Sequence, residues 1–283
     1  MAEDNGCKMD SEGTGAFLRT GRYFSHHPTG AKVLMAKFEK ILLRIKRQQR
    51  WETRTYWEEF HLPYRPYMNV ITCLQEIQRR PKTFDGRKTT PVAWEQSCLE
   101  EICGSCTMVI NGRVRQACST LVDHLGPRIT LEPMTKFKVI RDLVVDRKSI
   151  FEGYKRVKAW VPIETSDVSE PGPKISAELA DKRYHLSKCM ACGCCLEACP
   201  QVNDHSGFIG PAAINQTRLF NTHPTGAQLK KDRLTALMQE GGIEDCGNAQ
   251  NCVKVCPKGI PLVSSIIETN REISLNLLHL LKK

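Results

Sequence analysis

The sequence lacks the usual marks of a membrane span or of an active site. No apolar run reaches the ~18 residues that a bilayer-crossing helix needs; the longest, around Val139–Val145 and Ile260–Ile267, are short or broken by charge. There is no G-x-G-x-x-G dinucleotide fingerprint and no evident nucleophile–base set. His61, His124, His185, His205, His223 and His279 are scattered and read as surface or capping residues. The opening residues, MAEDNGCKMDSEG, have neither the basic start and apolar core of a secretory signal nor the acid-poor character of a mitochondrial transit peptide. A reducing, intracellular setting is expected, which disfavours a disulfide framework. Acidic charge is the scarcer sign, with 31 Asp and Glu against 41 Lys and Arg. The net charge of +10 leaves acidic proteins, membrane surfaces and nucleic acid open as partners. The one local basic cluster (Lys37, Lys40, Arg44, Lys46, Arg47, Arg50) is expected to be a solvated strand face, not a nucleic-acid patch.

Cysteine, by contrast, is abundant. Of 14 cysteines, all but Cys7 and Cys73 fall in three tight groups, at 98–118, 189–199 and 246–256. In a reducing compartment such grouping points to metal or redox chemistry.

The length of 283 residues suggests two domains. Residues 1–34, rich in Gly, Ser, Thr and acidic side chains, are expected to be disordered, or an extension upstream of a start at Met35. KILLRIKRQ and TRTYWEEFHL read as two strands joined across Gln49–Glu52. NVITCLQEIQRR (69–80) has helical spacing, with Asn69 as N-cap and Pro81 past the end. TMVINGRVRQAC places Asn111-Gly112 between β-rich runs, a strong hairpin signal, and RITLEPM reads as a further strand. The sum is a small mixed sheet with a helix packed on it. Residues 138–160 read as an amphipathic helical stretch broken near Asp146 or Gly153, and 161–183 as a polar surface loop. Helices separated by cysteine loops follow, ending in a helical region over Ile260–Leu280. The domain boundary is expected near 135–140, giving domains of 35–136 and 137–283.

Cys98, Cys103, Cys106 and Cys118 follow the C-x4-C-x2-C…C spacing of plant-type [2Fe–2S] ferredoxins. Gly104 and Ser105 permit tight turns that aim amide N–H groups at sulfur, and the Asn111-Gly112 hairpin returns Cys118 to the loop. Zinc, which favours two C-x2–4-C pairs, is the rival, and only one such pair exists here. CMACGCCLEACP carries Cys189, Cys192, Cys195 and Cys199 in the C-x2-C-x2-C-x3-C-P run, whose fourth cysteine serves the other cluster of a pair. CGNAQNCVKVCP supplies Cys246, Cys252 and Cys256. Crosswise pairing gives Cys189, Cys192, Cys195 and Cys256 to a [4Fe–4S] cluster, and Cys199, Cys246 and Cys252 to a second. Ala249 stands where that second set would have its fourth ligand, so [3Fe–4S] is expected, with a [4Fe–4S] cluster holding a non-protein ligand as the alternative. Cys194, out of register, is expected to be a buried thiol that ligates neither cluster.

From about Met35 onward the chain resembles the iron–sulfur subunits of succinate dehydrogenase and fumarate reductase. The resemblance rests on SCLEEICGSC, VINGRVRQAC, CMACGCCLEACP, GFIGPAAINQTRLFNTHPTGA and DCGNAQNCVKVCPKGIPL. It implies an α+β architecture, a β-grasp ferredoxin-like domain followed by an α-helical ferredoxin-like one. It implies electron transfer from an FAD flavoprotein that oxidises succinate, through [2Fe–2S], [4Fe–4S] and [3Fe–4S] in turn, to quinone in a membrane anchor. The 138–160 stretch resembles bacterial enzymes with menaquinone and a dihaem cytochrome b anchor, which implies a peripheral place on the cytoplasmic face of the membrane. Ubiquinone-linked members carry a tryptophan after the first C-P run and a histidine after the first cysteine of the last run. Here Asp204 or its neighbours and Gly247 stand there, so no quinone-binding residue is assigned. The alternatives are fumarate reductase working in reverse, the iron–sulfur subunit of another flavin dehydrogenase, and a zinc-stabilised nucleic-acid module.

Overall fold

A computed structural model describes residues 38–162 and 173–281, with side chains through residue 276; residues 1–34 lie outside the described residues. The first strands are β1 (Lys40–Arg47) and β2 (Tyr56–Pro63), paired antiparallel from Lys40↔Pro63 to Arg47↔Tyr56. In β1 the side chains of Ile41, Leu43, Ile45 and Arg47 alternate inward, the two-residue period of a strand with one face covered. Helix α1 (Val70–Arg79) crosses that face with Val70, Ile71, Cys73, Leu74 and Ile77 buried. Asn69 caps it, its Oδ1 accepting from Thr72 N at 2.8 Å.

Strands β3 (Thr107–Ile110) and β4 (Arg113–Gln116) form the Asn111-Gly112 hairpin, and both turn residues have positive φ (49° and 73°), as a two-residue primed turn requires. Strand β5 (Arg128–Glu132) lies parallel to β1 and antiparallel to β3, giving the order β2-β1-β5-β3-β4. This mixed sheet, with α1 packed on it, is the expected N-terminal architecture.

The expectation of a helix from residue 138 is corrected. Residues 139–145 form a small hairpin, β6 (Val139–Arg141) and β7 (Val144–Val145), and α2 begins only at Lys148 and ends at Arg156. The β-branched residues Val139, Ile140, Val144 and Val145 flank a turn in which Asp142 takes φ +48°. Arg47 holds that turn. Its Nε donates to Asp142 Oδ1 at 2.9 Å and its Nη2 to Oδ2 at 3.3 Å. Glu58 accepts a further bond from Arg47, and Gln48 N and Ala93 N donate to the same Asp142 carboxylate at 3.2 and 2.8 Å. Arg47 is only 1% exposed, which corrects its place on a solvated strand face. Burial alone would lower its pKa, but the Asp142 and Glu58 carboxylates outweigh that and raise it.

Helix α3 (Ala177–Ser187) begins inside the expected loop, because Ser176 caps it through Oγ, which accepts from Leu179 N at 3.2 Å. Next come α4 (Cys194–Glu197), α5 (Pro211–Asn221), α6 (Lys230–Leu237), α7 (Asn251–Val255) and α8 (Leu262–Leu281). Helix α5 is central, touching α2, α3, α4, α6 and α8. Buried polar groups of α5 bond to other elements: Asn215 Nδ2 donates to Leu186 O at 3.1 Å, and Arg218 reaches Ser265 Oγ and Glu268, although Arg218 Nε has no partner among the described residues. Among the described residues no helix is long and apolar enough to cross a membrane.

Candidate iron–sulfur centres

The first cysteine loop, 98–106, precedes β3. Leu99, Glu101 and Gly104 take φ of 62°, 56° and 74°. This alternation turns successive amides inward, so that Glu100 N, Ile102 N and Cys103 N donate to Cys98 Sγ at 3.4, 3.2 and 3.3 Å. Positive φ at Gly104 was anticipated; at Leu99 and Glu101 no residue type signals it. Cys118 follows β4, where Ala117 N donates to Cys106 O at 3.1 Å and brings the hairpin's return strand against the loop. Asn69, besides capping α1, donates Nδ2 to Cys118 O at 3.0 Å. Burial pushes the Cys103 thiol up, but amide and Ser105 hydrogen bonds prevail and bring it down to about 6. Burial takes Cys106 up to about 12.

The second loop turns through Ala191 (φ 52°) and Gly193 (φ 87°) into the single turn of α4. Cys189, Cys192, Cys195 and Cys256 line one cavity, together with Cys194, Ile150, Leu196, Ala212, Ile260 and Leu262. Burial raises the Cys195 thiol well above its usual range, and Cys192, Cys189 and Cys256 add to it as negative neighbours. Ile260 N donates to Cys256 Sγ at 3.5 Å, and the Tyr154 hydroxyl lies 3.6 Å from Cys189 Sγ. Burial first, and Cys189 next, push the Tyr154 phenol far above its usual value.

Cys199, Cys246 and Cys252 line a second cavity, with Ala249 in its wall. Burial raises Cys252, with Cys199 and Cys246 contributing as neighbours. The connecting loop takes left-handed backbone at Asn248 and Gln250. At Gly247 an added Cβ would lie 2.5 Å from Gln201 Nε2, so the Gln201 side chain fills that space. Cys189, Cys192, Cys195 and Cys256 thus share one cavity, with Cys194 beside them, and Cys199, Cys246 and Cys252 share another. Soft thiolates on apolar-walled cavities, with amide N–H groups aimed at sulfur, fit iron–sulfur clusters.

The loops abut. A Cβ on Gly104 would sit 2.7 Å from Cys192 Cβ and 2.8 Å from Cys192 Cα, so the first loop's backbone touches the second loop. Arg147 bridges the same seam, donating to Glu95 at 2.6 Å and to Ser105 O at 2.8 Å. Glu197, on α4, accepts from Thr135 N and Lys136 N at 2.9 and 3.1 Å. Cys194 is 1% exposed and receives Gln116 Nε2 at 3.5 Å. The sequence showed that Cys194 would be buried, but not that Gln116 would reach it.

The 2Fe-2S iron-sulfur cluster binding domain family matches residues 42–152, and the 4Fe-4S dicluster domain family matches residues 185–260. The succinate dehydrogenase iron-sulfur subunit of Bacillus subtilis is 54% identical over 85% of this chain and 95% of its own length. The fumarate reductase iron-sulfur subunit of Wolinella succinogenes is 32% identical over 78% of this chain and 90% of its own. A chain of the Mycobacterium smegmatis Sdh1 complex in the apo form superposes with a TM-score of 0.69 at 23% identity, covering 84% of this chain and 96% of that one, a likeness of fold. With a sheet domain carrying one cysteine set, a helical domain carrying two, and relatives of this closeness over most of its length, the chain belongs to the succinate dehydrogenase and fumarate reductase iron–sulfur subunits, components of oxidoreductase complexes.

Proposed function

We propose that this chain is the electron-relaying subunit of a succinate:quinone oxidoreductase, set between an FAD flavoprotein and a quinone-binding membrane anchor. Cys98, Cys103, Cys106 and Cys118 hold the [2Fe–2S] cluster; Cys189, Cys192, Cys195 and Cys256 hold [4Fe–4S]; Cys199, Cys246 and Cys252 hold [3Fe–4S]. When bound, the clusters supply one-electron redox chemistry. The protein's own part is to orient sulfur, exclude water and hold the centres close. Amides of the 98–103 loop stabilise negative charge on Cys98. Apolar residues such as Ile150, Leu196 and Ile260 keep water from the cavity of Cys189, Cys192, Cys195 and Cys256. Gly104 lets the first and second loops meet without a side chain between them. The sheet domain covers 35–136 and the helical domain 137–283. The chain lies peripherally on the cytoplasmic face of a bacterial membrane, bound to a dihaem cytochrome b anchor that passes electrons to menaquinone.

The observation that carries this reading is that Cys189, Cys192, Cys195 and Cys256 line one cavity, with Cys194 beside them, while Cys199, Cys246 and Cys252 line another with Ala249 in its wall. The 54% identity to a succinate dehydrogenase subunit favours succinate oxidation, and the 32% identity to a fumarate reductase subunit makes the reverse direction the second reading. The test is electron paramagnetic resonance of the purified complex. Reduction by succinate should produce a [2Fe–2S] signal, and the oxidised complex should show a [3Fe–4S] signal that Ala249→Cys converts to [4Fe–4S]. An oxidised signal unaltered in Ala249→Cys would reject the ligand assignment.

A further inference from the structure

We infer that Tyr154, which is not a ligand, is a positioning residue that donates a hydrogen bond to Cys189, one ligand of the [4Fe–4S] cluster, and so raises the cluster's reduction potential. The inference rests on the ligand set proposed above. The Tyr154 hydroxyl lies 3.6 Å from Cys189 Sγ. A ligated thiolate carries no proton, so the hydroxyl is the donor.

Tyr154, on α2, packs against the buried cluster that includes Ile150, Leu196 and Ala212, three residues that also line the cavity of the proposed [4Fe–4S] ligands.

Reduction adds negative charge to a cluster and its thiolates. A donor bound to a ligand sulfur therefore stabilises the reduced form more than the oxidised one.

The test is a redox-poised paramagnetic resonance titration of the intact holo-complex carrying Tyr154→Phe. At the wild-type midpoint of the [4Fe–4S] cluster, the variant should lower the reduced-to-oxidised ratio about threefold to tenfold, where tenfold is ~59 mV for one electron. The [2Fe–2S] and [3Fe–4S] midpoints should hold. An unchanged [4Fe–4S] midpoint refutes the inference, as does an equal shift in all three clusters, which marks general loosening. Absence of a [4Fe–4S] signal from the wild-type complex would instead reject the ligand set on which the inference rests.

Discussion

Gly104 and Gly112 offer a matched pair of substitutions. Their backbones are nearly the same, with φ of 74° and 73°, so an alanine at either meets the same left-handed strain, about 1–2 kcal/mol. Their surroundings differ. An added Cβ at Gly112 meets nothing within 4 Å, whereas at Gly104 it meets Cys192 Cβ at 2.7 Å and Cys192 Cα at 2.8 Å. Carbon atoms pack at about 3.5–4.0 Å, so the two cysteine loops must part by about 1 Å to admit the methyl. Overpacking of this kind costs about 1–3 kcal/mol beyond the backbone term. Gly112→Ala should therefore lose about 1–2 kcal/mol and Gly104→Ala about 2–5 kcal/mol. The assay is urea-induced bleaching of the visible absorption of the holoprotein, read at matched incubation times because cluster loss is irreversible. The Gly104→Ala midpoint should fall below that of Gly112→Ala, and [4Fe–4S] absorption should go first. Equal midpoints for the two variants would refute the claim that the loops touch at Gly104.

Removing the Arg47 guanidinium leaves the buried Asp142 with only its longer, 3.8 Å pair to the half-exposed Arg141, so Arg47→Met should cost about 3–5 kcal/mol; thermal unfolding should then fall by about 6 °C or more, and a shift within 1 °C would rule out a structural role for the pair. Asn69→Ala removes a helix cap and a donor to Cys118 O, so about 1 kcal/mol or more of stability should go. Asn69→Asp keeps the cap but not that donor, so it should regain most of the stability while the [2Fe–2S] signal stays perturbed. An Asn69→Asp spectrum identical to wild type would show that the Cys118 contact is without effect on the cluster.

Most of the sheet domain was legible because its signals are local. The alternation of Ile41, Leu43 and Ile45, the Asn69 cap and the Asn111-Gly112 turn each act within a few residues. The grouping of the cysteines along the chain is legible because spacing is a property of the sequence. The β6–β7 hairpin was not, because what fixes it is distant. Asp142 turns where it does because Arg47, 95 residues away, anchors its carboxylate. For the same reason Arg47 reads as one more surface base in its own strand. The Gln116–Cys194 contact joins residues 78 apart across the domain seam, and no periodicity encodes such a meeting. Left-handed backbone at Leu99 and Glu101 is imposed by the amides that surround Cys98, against the preference of both residue types.

The central claim is that eleven cysteines hold three clusters of different nuclearity. Iron and acid-labile sulfide analysis of the intact holoprotein, joined to its paramagnetic resonance spectra, tests it most directly. The account predicts about nine irons and about ten sulfides per chain, with a [2Fe–2S] signal on reduction and a [3Fe–4S] signal on oxidation. Stoichiometric zinc, or a full ten irons with no oxidised signal, would contradict it.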